Sequence, residues 1–131
     1  MSVATSKGVG GRGLMPYLAI DCKATISGTV GQEGYIKATG GRLYYLDVEN
    51  VNAVDVWIQL FDTDGTITVG STVPKLSLLV PASDGTFYSG RTLELPVSPI
   101  LFENNIRFAI TTSATGAGAA TSNTIVNALY K

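Results

Sequence analysis

The sequence predicts an all-β protein: a single β-sandwich, of jelly-roll or immunoglobulin-like order, with a flexible N-terminal arm. Three observations lead there. Apolar residues recur at every second position over short runs, which sets them on one face of a strand. Clusters of Gly, Asn, Asp and Pro punctuate those runs at turn-like intervals. No window of ten or more residues holds a capped helical period. The 131 residues favour one domain, residues 16–131, which at that size buries enough surface to fold without a staple. Only 15% of residues are charged, against about 25% in typical domains, while Thr, Ser and Gly supply much of the polarity. Thr suits strands and Gly suits turns. The low charge also fits a surface partly covered by partners.

The elements follow in order. Residues 1–15, MSVATSKGVGGRGLM, are small and Gly-rich with Lys7 and Arg12, and form the arm, which is expected to order on docking. Leu14 to Ile20 lead into the ordered chain. Lys23 to Thr29 alternates weakly. Gly34–Thr39 and Arg42–Glu49 flank Gly40-Gly41, a pair compatible with a hairpin turn. In the second run Tyr44, Leu46 and Val48 are expected on one face, with Leu43, Tyr45 and Asp47 on the other. Val54, Val56, Ile58 and Leu60 then alternate with Asp55, Trp57, Gln59 and Phe61. Asp62-Thr63-Asp64-Gly65 supplies a turn, Thr66–Val69 a short strand, and Leu76, Leu78 and Val80 the next strand after Pro74. Thr92–Leu95 and Pro99–Phe102 lie beside prolines that suit edges or bends. Ile106, Phe108 and Ile110 alternate with Arg107, Ala109 and Thr111. Asn123–Tyr130 closes the chain after the low-complexity loop Ser113–Ser122.

Composition excludes several functions. The net charge of −1 and scattered basic residues give no nucleic-acid footprint. No apolar run reaches the ~18 residues of a membrane helix, and the N-terminus has no apolar core of a signal peptide. With no His, neither Ser-His-Asp nor Cys-His chemistry can be assembled. The lone Cys22 forms no internal disulfide and cannot hold zinc alone.

The remaining motifs read structurally. Gly8-Val9-Gly10-Gly11-Arg12-Gly13 satisfies G-x-G-x-x-G, but no strand precedes it and Leu14-Met15-Pro16 follows, so it lacks the strand–helix setting of a dinucleotide site. Asp62-x-Asp64-Gly65 lacks the further ligands of a calcium loop. Asp47 with Glu49, or Asp55 with Asp62, show no cleft that would make them a catalytic carboxylate pair. No cofactor, metal or enzymatic activity is expected. Trp57, with Tyr44, Tyr45, Phe61, Phe87, Tyr88 and Tyr130, fits a subunit interface better than a sugar platform.

Two segments carry a resemblance. IQLFDTDGTITVGSTVPKLSLLVPAS, residues 58–83, and ITTSATGAGAATSNTIVNALYK, residues 110–131, resemble small virion proteins of tailed phages. In that group a strand ending in F-D runs into VG-T-P and an aliphatic strand closed by VPA. An ITT-AT-G loop then leads to a last strand ending in an aromatic and a basic residue, here Tyr130 and Lys131. The likeness spans about residues 41–131, with Phe61, Asp62, Val69, Gly70, Thr72, Pro74 and Lys75 on its motif. It implies a non-enzymatic β-sandwich, made in the host cytoplasm and carried on the capsid exterior, that decorates and cements the shell. Such proteins are often trimers and bridge neighbouring major capsid subunits. On that reading the candidate partner-binding residues are Lys7, Arg12, Trp57 and Tyr130, with neither nucleic acid nor membrane as partner. The alternative is a carbohydrate- or receptor-binding module of a phage tail or head fibre.

Overall fold

The computed structural model describes residues 21–27, 33–84, 89–94, 98–118 and 124–131. They form nine strands: β1 Asp21–Ser27, β2 Glu33–Lys37, β3 Gly41–Asn50, β4 Val56–Phe61, β5 Leu76–Val80, β6 Ser89–Glu94, β7 Ile100–Phe102, β8 Ile106–Thr111 and β9 Thr124–Tyr130. The arm at residues 1–15, with Lys7, Arg12 and the glycine motif, lies outside the described residues.

Two antiparallel sheets pack face to face as a β-sandwich. One runs β1-β9-β3-β6, with β7 also on β3; the other runs β2-β8-β4-β5. The pairing is nested: β4 with β5, β3 with β6, β2 with β8 and β1 with β9. A ribbon folded back on itself and rolled into two sheets gives this order, which is the jelly roll and not the immunoglobulin arrangement. β6 and β7 are two parts of one edge. They pair with Tyr45–Asn50 and Gly41–Leu43, and residues 95–97 between them lie outside the described residues.

The core lies between the sheets, where Leu46, Val48, Val126 and Ala128 of one meet Val56, Ile58, Leu60, Phe108 and Ile110 of the other. Each fully buried aliphatic side chain stabilises the fold by about 1.5–3 kcal/mol before entropy is counted. One end is sealed by amides. Asn50 and Asn52 are buried, and Asn50 Nδ2 donates to Val54 O (2.9 Å), Val80 O (3.3 Å) and Pro81 O (2.9 Å). Asn50 Oδ1 accepts Asn52 N (2.8 Å) and Asn52 Nδ2 (2.9 Å). The pair thereby joins the ends of β3 and β5, and a fully satisfied buried network of this kind is rigid.

The structure corrects several local expectations. Gly40-Gly41 is no hairpin, because β2 and β3 belong to different sheets. Leu43 sits in the core with Leu46 and Val48, although two residues separate it from Leu46. The register shifts where Leu129 faces Tyr45 and Tyr130 faces Leu43, so Tyr44 is the extra residue of a bulge that reverses the alternation. Val54 is outside β4 and 49% exposed. Thr66–Val69 is not a strand: residues 62–75 form one long connection between β4 and β5.

Candidate functional site

Alternation along β4 turns Val56, Ile58 and Leu60 into the core and Trp57, Gln59 and Phe61 to the opposite face of the four-stranded sheet. That outward row would ordinarily meet water. Instead Gln59 and Phe61 are buried, as are Arg107, Ala109 and Thr111 beside them on β8. Two loops from opposite ends of the sandwich roof this face.

The first is residues 62–75. Its Ile67 and Val69 pack on Phe61 and Ala109 as a small second core. Their spacing imitates a strand, but the pair folds down as a flap. The flap turns where Ser71 N and Thr72 N donate to Thr68 O (2.9 and 2.8 Å), and Thr68 N donates to Thr72 Oγ1 (2.9 Å). Gly70 has φ of 93°, a left-handed conformation that side chains oppose. A Cβ added there would also lie 2.9 Å from that of Ala117 in the second loop.

That second loop, residues 112–118, is closed by Thr112 N donating to Gly118 O (3.1 Å). Gln59 holds it from below: Nε2 donates to Thr111 Oγ1 (2.8 Å), Ser113 O (3.2 Å) and Gly116 O (3.1 Å). Ser77 Oγ of β5 donates to Ala114 O (2.7 Å). A small-residue loop suits this position because bulky side chains would prevent its close approach to the sheet.

Charged groups anchor the first loop. The Asp62 carboxylate accepts Glu103 N (2.7 Å), Asn104 N (2.8 Å) and Asn104 Nδ2 (3.2 Å), and Lys75 Nζ stands 3.9 Å away. Burial acts to raise its pKa. The bonds from Glu103 and Asn104, with the backbone of Asn105, outweigh that effect and hold the carboxyl below its ordinary value. Arg107 donates through one terminal nitrogen to Thr63 O (3.3 Å) and Gly65 O (2.9 Å), and its guanidinium lies 4.9 Å from the centre of the Tyr35 ring. Asn105 Nδ2 donates to Thr63 O (2.7 Å) and Asn105 Oδ1 accepts Thr63 N (3.3 Å). The Asp62–Gly65 segment is therefore a clamped loop entry. Among the described residues no group of three acidic, Cys or His side chains is placed to hold a metal ion.

The four candidate partner-binding residues do not converge. Lys7 and Arg12 lie outside the described residues. Trp57 is half-buried on the roofed face, with Leu79 and Thr111 as its register neighbours. Tyr130 is half-buried and packs against the core from the inner face of the five-stranded sheet. Sequence reasoning missed Gln59 and Arg107. Their signal is a long polar side chain at an outward strand position in a chain with two long loops, one of them of small residues. Among the described residues, the Tyr35 ring, 44% exposed, and the half-buried Trp57 are partly exposed aromatic groups on this face. Comparison with protein-family models and with curated proteins found no match.

Proposed function

We propose that this protein is a non-enzymatic structural component of a tailed-phage virion. It decorates the capsid exterior and cements the shell by bridging neighbouring major capsid subunits, as a homo-oligomer whose implied stoichiometry is three. The observation that carries the reading is spatial. The two segments with the phage-protein resemblance, residues 58–83 and 110–131, are remote in sequence, yet their loops meet at Gly70 and Ala117 over one sheet. Although β9, which ends the second segment, belongs to the other sheet, the loop parts of both segments thus lie together. The polar side chains buried there engage the protein's own backbone, as in a rigid contact scaffold.

Co-sedimentation with capsids that lack the protein tests the reading. Full-length protein pellets with the shells and raises their melting temperature, because a ligand of the assembled state stabilises it. Removing residues 1–15 weakens the binding while leaving the sandwich folded, and replacing Lys7 and Arg12 by Ala weakens it in part. Protein that stays in the supernatant at every ratio refutes the proposal. The second reading, a glycan- or receptor-binding module, rests on the partial exposure of Trp57. It requires a glycan that raises the melting temperature of the wild type and not of Trp57→Ala.

A further inference from the structure

An open sheet edge is a template for another strand, and proteins blunt such edges with charge, brevity, proline or bulges. β1 carries Asp21 and Lys23, and β6 carries Arg91 and Glu94. β7 has three residues. β2 carries Glu33 and Lys37 and is broken by a register shift. β5, LSLLV, has no charge, proline or bulge within it, with Pro74 and Pro81 only flanking it. It keeps an unbroken register on β4 from Leu76 to Val80, and has no strand on its other side among the described residues.

Its surroundings extend the apolar strip. Val73, just ahead of β5, is 83% exposed, and Leu76, Leu78 and Leu79 are half-buried. Val54 lies at the other end, where Asn50 Nδ2 bonds both Val54 O and Val80 O. The ends differ in charge. Lys75 stands before the strand with 41% of its side chain exposed. Beyond it, the exposed Asp55 accepts Ala82 N through Oδ1 (2.9 Å).

We propose that β5 is a self-association edge: two copies pair their β5 strands antiparallel across a two-fold axis, joining two four-stranded sheets into one. Centred on Leu78, this pairing sets Lys75 of each copy opposite Pro81 of the other, beside the Ala82 that holds Asp55. Opposite charges therefore meet twice, whereas a parallel pairing brings lysine to lysine. Lys75 Nζ stands 3.9 Å from Asp62 and 5.6 Å from the centre of the Phe102 ring, and of its three donors the contact needs one. Such an edge is self-complementary, as a two-fold interface must be. The contact is independent of the capsid-decoration role and exists in a solution of the protein alone.

Light scattering across a concentration series up to about 1 mM, where even a weak contact of that Kd is half-formed, tests it. The expected mass is twice 13.7 kDa, or six times where trimers join in pairs. Leu79→Lys, which charges the edge outside the core, halves that mass and keeps the folded circular-dichroism spectrum. Asp55→Lys weakens association at least about tenfold, and adding Lys75→Glu to it restores most of the loss, as expected of an opposed charge pair. A mass of one or three times 13.7 kDa throughout the series overturns the proposal. So does Leu79→Lys that still associates, or β5 amides that gain protection from hydrogen exchange only when capsid is added.

Discussion

At the residue scale, Asp62 is the clearest case of a side chain whose chemistry serves the fold. Its carboxylate takes bonds from Glu103 and Asn104 that a neutral side chain could not match. The sign of the pH effect follows from the lowered folded-state pKa. Above the unfolded value, near 3.8, the stabilisation is fully present, and it is lost as pH falls through the lower folded value. Urea unfolding of the wild type should therefore lose stability from about pH 5 downward. Asp62→Asn should cost about 1–3 kcal/mol at neutral pH, the range for a disrupted charge-assisted bond, and show a shallower acid slope. Equal slopes in the two proteins would assign the acid sensitivity elsewhere. This role was not legible in the sequence, where Asp-x-Asp-Gly reads equally as a turn. What decides it is the position of Glu103 and Asn104, some forty residues away along the chain. Leu43 is a similar case, because the bulge at Tyr44 depends on the register with the partner strand β9.

At the element scale, strands were legible wherever apolar residues alternate over the core, as in β9, and in the inner row of β4 although its outer face is largely buried too. The roof was not. Ile67 and Val69 alternate as a strand would, and only the sheet beneath them reveals a flap. Gln59 ties the second loop to that sheet, so Gln59→Leu removes the donor to Ser113 O and Gly116 O while keeping the bulk. The expected cost is about 1–3 kcal/mol, from carbonyls left unpaired, with faster amide exchange confined to residues 112–118. Gly70→Ala should loosen the same loop from the other side, because it adds a Cβ against Ala117 at a φ of 93°. If both variants exchange as the wild type does, the two loops cover the face without supporting one another. The four candidate site residues were chosen singly by type, and a sequence alone gives no means of placing Trp57 and Tyr130 on different sheets.

At the scale of the whole molecule, the nested pairing sets an order of entropic costs. Leu60 pairs with Leu76, Asn50 with Ser89, Lys37 with Ile106 and Ser27 with Thr124. Each outer pairing closes a longer loop when formed alone, but only a short increment when the pair inside it exists. Folding should therefore begin at β4–β5 and proceed outward to β1–β9, at the slow rates typical of sandwiches rich in distant contacts. Leu78→Ala in β5 and Val126→Ala in β9 separate this from alternatives. Both shorten side chains that pack in the same core, and each should cost more than the ~0.6 kcal/mol that a reliable kinetic ratio requires. Leu78→Ala should chiefly slow folding, while Val126→Ala should chiefly speed unfolding. These rates must be measured below the concentration at which β5 edges associate. Should Val126→Ala slow folding as much as Leu78→Ala, the terminal strands would already be paired in the transition state. The ribbon would then roll up as a whole, with β1 and β9 meeting before its middle is complete.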